Sequence, residues 1–170
     1  MTNKNKLTTE IFDDKEAAEN AYRDAIKQGY KPEEINVLMS SDTRKKYYDS
    51  DLVTKETGDK SMEGLAIGGA LGGTIGGTIG AIAAIGTSLV FPGLGLIIAG
   101  PLVAGLAGAG AGSISGGLIG ALVGWGIPEE RAKVYEQGIK SGGIVLGVNE
   151  TTGRGNLETD WKKYKTEKTL

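Results

Sequence analysis

At 170 residues the chain has room for one ordinary domain, or for a small domain carrying an inserted element. It contains neither cysteine nor histidine, which excludes disulfides, thiolate nucleophiles, imidazole bases and the usual zinc or transition-metal ligands. Its 19 Lys and Arg against 21 Asp and Glu leave a formal charge of -2, without the clustered basic surface that nucleic-acid binding needs.

The charges sit at the two ends. Residues 1–63 and 129–170 hold all of them, and the 65 residues between Glu63 and Glu129 hold none. Near the N-terminus, Met-Thr-Asn-Lys-Asn-Lys is not followed by an apolar run, so no cleaved secretory signal is expected. Residues 7–12 alternate as a short strand with Leu7, Thr9 and Ile11 on one face. Asp13 or Asp14 then caps a helix whose stripe is Ala18, Ala21, Tyr22, Ala25 and Ile26, and Gly29 stops it before Pro32. Ile35, Val37 and Met39 alternate along a second strand. The first part of the chain, 1–50, therefore reads β-α-β. The cluster Arg44, Lys45, Lys46, Tyr47 and Tyr48 reads as a short solvated helix, with a basic-aromatic patch near lipid headgroups as the other reading. Residues 51–63 form a polar linker.

From 64 to 126 glycines recur every fourth residue in two series: Gly64, Gly68, Gly72, Gly76, Gly80, and Gly108, Gly112, Gly116, Gly120, Gly124. The series mirror one another about Leu94, since Gly64 with Gly124, and Gly80 with Gly108, both sum to 188. Phe91-Pro-Gly-Leu-Gly95 lies at the mirror point. A turn near 91–97, carried by Pro92, Gly93 and Gly95, would fold the segment into an antiparallel helical hairpin with glycines facing in pairs, the small-residue spacing of closely packed membrane helices. Gly69, Gly73 and Gly77 form a second stripe suited to contacts between copies. Arms of 27 residues (64–90) and 28 residues (98–125) would each be about 40 Å long as helices, against a hydrocarbon core of about 30 Å. Trp125 stands at the polar boundary as an interfacial anchor. Burial of the hairpin by self-assembly in water is the alternative, and a pore is a further one.

After the hairpin, Pro128 marks the first helical position and Glu129 and Glu130 occupy the first turn, where the helix dipole favours them. Ala132, Tyr135 and Ile139 share a face, Gly142 stops the helix, and Ile144, Leu146 and Val148 alternate along a strand. Residues 127–148 thus read α-β. Tyr22, Ile26, Lys27 and Gly29 match Tyr135, Ile139, Lys140 and Gly142, either as a repeated half or because amphipathic helices ending in glycine converge. A repeat implies an α+β, ferredoxin-like domain with two helices on one face of a largely antiparallel sheet, although its third strand is not evident. Neither half buries enough surface alone, so the two must meet, with both ends of the insertion on one side of any membrane. Residues 149–170 read as a flexible polar tail.

No glycine loop has the G-x-G-x-x-G spacing or a following Lys, no Ser has a His partner, and the carboxylate pairs Asp13/Asp14 and Glu33/Glu34 sit at caps and turns. The residues therefore point to a non-enzymatic protein with no cofactor, metal or small-molecule substrate. Lys15-Glu-Ala-Ala-Glu19, Gly29-Tyr-Lys-Pro-Glu-Glu-Ile-Asn-Val-Leu-Met39, the glycine hairpin, Gly126-Ile-Pro-Glu-Glu-Arg-Ala132 and Gly142-Gly-Ile-Val-Leu-Gly147 occur in that order. In these features the chain resembles bacterial heat-induced general stress proteins with a YflT-like domain, over about residues 8–148. The resemblance implies a stress-induced protein and brings no catalytic residues. The combined expectation is a membrane protein with both polar ends cytoplasmic, partnered by the lipid bilayer and by other copies of itself. A cytoplasmic location goes with the self-assembly alternative.

Overall fold

The computed structural model describes residues 6–49, 88–91, 95–101, 117–151 and 153–165. Strand β1 (Lys6–Phe12) leads to Asp14, whose carboxylate accepts the Ala17 N–H at 2.8 Å and starts helix α1 (Lys15–Lys27). α1 buries Ala18, Ala21, Tyr22 and Ala25, the expected stripe. It ends as the sequence indicates: Gly29 takes φ +90°, and the Tyr30 N–H reaches the Ala25 carbonyl at 3.1 Å. That is the closing bond of a Schellman motif, which needs a left-handed residue after the cap. A 3-10 turn (Pro32–Glu34) leads into β2 (Ile35–Ser40), and Ser40 caps the short helix α2 (Ser41–Arg44).

Within the uncharged segment two strands form, β3 (Ser88–Phe91) and β4 (Leu96–Ala99), followed by helix α3 (Gly117–Gly124). Helix α4 (Glu129–Lys140) comes next, with Pro128 at its cap rather than at its first helical position, and Gly142 at φ +99° closes it. Strand β5 (Ile144–Glu150) and helix α5 (Leu157–Lys162) complete the order.

The strands make one antiparallel sheet in the order β1-β5-β2-β4-β3. β5 is the pivot: Phe12 pairs with Ile144 on one side of it, and Leu38 with Val145 on the other. The later half of the chain is thereby zipped between the two strands of the earlier half. Residues alternate between two cores. Phe12, Ile35, Val37, Met39, Ile144, Leu146 and Val148 face α1 and α5, with Tyr22, Leu157 and Trp161. Leu38, Leu96, Ile98 and Val145 face α3 and α4, with Leu122, Trp125, Tyr135 and Ile139.

The protein is thus a mixed α/β fold with an antiparallel sheet, as expected, but three layers deep. The expectation of two helices on one face, ferredoxin-like, is corrected: α1 and α4 lie on opposite faces. The cause is that β5 and β2 are apolar on both sides, so each face needs a cover. The alternation of Ile144, Leu146 and Val148 shows one buried face, and Val145 and Leu38 supply the other. This arrangement also bears on the repeated sequence. β1 to β2 and β4 to β5 run in opposite senses across the sheet with reversed strand direction, so a rotation relating them would keep both helices on one face. Their opposite placement shows that the Tyr22/Tyr135 match does not extend to such a rotation of one half onto the other.

The expectation of a flexible tail is corrected over residues 153–165, the rest of it beyond 165 lying outside the described residues. Asn156 caps α5 through the Thr159 N–H at 3.1 Å, and Trp161 is fully buried, edge-on to Phe12 at 5.9 Å. Its indole N–H donates to the Ala21 carbonyl at 2.9 Å. Trp161→Ala is expected to cost about 3–5 kcal/mol of stability, measured by urea unfolding of the full chain; a flexible tail would lose almost nothing.

Candidate functional site

The expected site is the glycine hairpin, and the described residues hold part of it. Gly64, Gly68, Gly72, Gly76, Gly80, Gly108, Gly112, Gly116, the second stripe Gly69, Gly73 and Gly77, and the turn residues Pro92 and Gly93 lie outside them. Gly95, Gly120, Gly124 and Trp125 lie within.

The mirror point is a reversal, but of strands. Phe91 pairs with Leu96, Val90 with Ile97, Leu89 with Ile98 and Ser88 with Ala99, a register summing to 187 against the 188 of the glycine series. Gly95, at φ +60°, accepts the Ser41 N–H at 2.8 Å and ties the turn to the start of α2. Helical arms reaching 90 and starting again at 98 are therefore corrected at those ends. Leu-Val-Phe and Leu-Ile-Ile flank a Pro-Gly turn, a hairpin signal that the four-residue glycine period obscured.

α3 has two unlike sides. Leu118, Ala121 and Leu122 pack onto the sheet, whereas Val123 is 43% exposed and Gly124 is exposed beside it. A Cβ built on Gly120 would meet nothing within 4 Å. Its expected partner Gly68, like Gly64 opposite Gly124, lies outside the described residues. Trp125 does not stand clear at a polar boundary. It is 7% exposed, in one cluster with Leu118, Leu122 and Tyr135, and its indole N–H is buried without a hydrogen-bond partner among the described residues. The turn after α3 directs this large apolar ring into the second core, where burial stabilises it more than a half-wet boundary would.

No helix among the described residues is long and apolar enough to cross a membrane. Among the described residues, too, no group of three or more carboxylates could hold a metal ion. The Tyr135 hydroxyl donates to the Thr9 carbonyl at 2.9 Å, and burial pushes its phenol up to about 12, whereas the Tyr22 and Thr8 hydroxyls are buried without a hydrogen-bond partner among the described residues. Asn36, fully buried, donates to the Gly147 carbonyl at 3.0 Å. No protein-family model, curated protein or solved structure matches the chain.

On the opposite face, the C-terminal segment is fastened by charge. Lys6 pairs with Glu158, Lys165 with Glu10 at 2.9 Å, and Arg154 forks onto both oxygens of Glu34 at 3.1 and 2.9 Å. Asp24 receives Lys163 at 2.8 Å and the Tyr164 hydroxyl at 2.7 Å. Of the basic-aromatic cluster at 44–48, Tyr47 is half-buried against the first core and its carbonyl accepts from Lys15 at 3.1 Å, while Lys45 and Lys46 are exposed, with Lys46 4.9 Å over the neighbouring Tyr47 ring.

Burial raises the Asp24 carboxyl, but the bonds from Lys163 and Tyr164 outweigh it and hold the group below its ordinary value. Its contribution to stability is present above the ordinary aspartate pKa of about 4 and is lost as pH falls through the lower folded value. Acid unfolding should therefore be shallower in Asp24→Asn, and an unchanged pH profile would remove Asp24 from this role. Gly120→Ala supplies a second check. No atom of the described residues lies within 4 Å of a Cβ placed at Gly120, so alanine should leave stability unchanged or raise it by up to about 1 kcal/mol, whereas close packing against another glycine would make it destabilising.

Proposed function

We propose that the chain is a non-enzymatic stress protein whose three-layer domain is held at a bilayer by its uncharged glycine-rich segments, entering from one side and returning to it. The supporting observation is that β3 and β4 belong to the same sheet as the two polar halves. Residues 49 and 88, like residues 101 and 117, belong to this one described domain, so the segments 50–87 and 102–116 each begin and end at it. Each excursion must therefore start and finish on the domain's side of any membrane.

Two helical crossings need about 40 apolar residues. The uncharged residues in these two intervals number 24 (64–87) and 15 (102–116). Partial insertion from one side satisfies both the length and the return. Glycine stripes then serve close packing, within one copy and between copies through Gly69, Gly73 and Gly77. Both polar ends lie on the cytoplasmic side in this reading, and the role in stress rests on the resemblance over residues 15–39 and 126–147.

A soluble assembly is the second reading, favoured by the fact that residues 96–99 are buried in the protein's own domain and residues 88–91 are paired with them. Carbonate extraction separates the two. The anchored form should stay in the membrane pellet, and complete release as a large detergent-free particle would overturn it in favour of the assembly.

A further inference from the structure

Strand β1 lies at one end of the sheet order, and the C-terminal segment packs against it. Alternation puts Lys6, Thr8, Glu10 and Phe12 on one face of β1, and three of the four meet that segment: Lys6 pairs with Glu158, Glu10 with Lys165, and the Phe12 ring meets Trp161 edge-on. Helix α1 supplies the other wall, through Asp24 to Lys163 and Tyr164, Gln28 to Asp160 at 2.6 Å, and the Ala21 carbonyl to the indole. No strand pairing involves residues 153–165, so β1, β5 and β2 hold their register without them. Three features make the segment separable from the sheet it covers. Its root is fixed: Arg154 forks onto Glu34 and lies 5.0 Å over the Tyr30 ring, while the next residue, Gly155, takes φ +64°. Its apolar hold is small, since Leu157 and Trp161 are its only buried large apolar side chains. Closure also buries a polar atom that it does not satisfy, because Gln28 Oε1, beside Gly155, has no hydrogen-bond partner among the described residues.

We propose that residues 156–165 are a strap that lifts off β1 and α1 as a unit while the sheet stays folded, and that ionic strength sets how often it does so. Three ion pairs close it, and the lysine side chains in them, Lys6, Lys163 and Lys165, are 63, 51 and 49% exposed, so dissolved ions reach every pair. The screening length falls from about 10 Å at about 0.1 M salt to about 3 Å at about 1 M. Salt therefore weakens the charged part of the closure and leaves the burial of Leu157 and Trp161 in place. Once open, the strap presents Leu157 and Trp161 and uncovers Phe12, which turns a rise in ionic strength into exposed apolar surface.

Hydrogen exchange of the full chain in an uncharged detergent tests both parts. The bonded backbone amides of Asp160, Tyr164 and Lys165 should exchange through an opening of their own, well ahead of those in β1, β5 and β2. Measured relative to those strands, their exchange should be about tenfold faster at about 1 M than at about 0.05 M sodium chloride. The double variant Lys163→Gln and Lys165→Gln should exchange fast there already at low salt and lose most of the salt response, with the strands protected as before. Exchange of these three amides in step with the strands overturns the strap. Separate exchange that is indifferent to salt, or a salt response that the double variant keeps in full, overturns its electrostatic control. Both readouts come from the folded domain, so they stand or fall independently of where the uncharged segments lie.

Discussion

Everything in this protein hangs on β5 lying between β1 and β2. A strand from the last quarter of the chain hydrogen-bonds on both edges to strands from the first quarter, so the long uncharged insertion can exist only as a detour from a closed domain. This placement fixes the position of α1 over one face and α4 over the other, since each helix directly adjoins a strand of the pair it covers. It also explains why loss of either half would leave an apolar sheet with unpaired edges rather than a smaller stable fold.

The parts legible in the sequence are those governed by local rules. Asp14, Gly29, Glu129, Glu130 and Gly142 mark helix ends through capping and backbone chemistry that operates within a few residues. The strands β1, β2 and β5 are visible because their apolar residues recur with period two. The layer count was not legible, because Val145 and Leu38 interrupt that alternation with apolar residues on the other face, and a continuous apolar run does not say how many faces are covered. α5 was hidden for a different reason: six residues with Leu157 and Trp161 as the only large apolar groups carry a weak periodic signal, and the docking depends on partners more than 100 residues away.

The charged contacts around α5 show how a short helix can be held. Trp161 and Leu157 supply the apolar burial, while Lys6, Asp24, Glu10 and Glu34 arrange the pairs around them. Most of these pairs are partly exposed and individually weak. Glu10 and Asp24 are the more shielded carboxylates, and Asp24 receives Lys163 and Tyr164 at once. The indole therefore sets the depth of docking, and the charges around it, from Lys6 on β1 to Lys163 and Lys165 just past the helix, set its register.

The 65-residue uncharged run has two separate physical causes. A bilayer excludes charge, but so does a sheet covered on both faces, and β4, with Leu96 and Ile98 in one core and Ile97 in the other, must be uncharged for the second reason alone. The same holds for the inner side of α3, where Leu118 and Leu122 face protein. As a single signal of length 65, absence of charge implies two full crossings. Divided by cause, the run leaves two shorter intervals whose ends are anchored in one sheet, and the requirement that each returns to its point of departure, more than hydropathy, decides what they can do at a membrane.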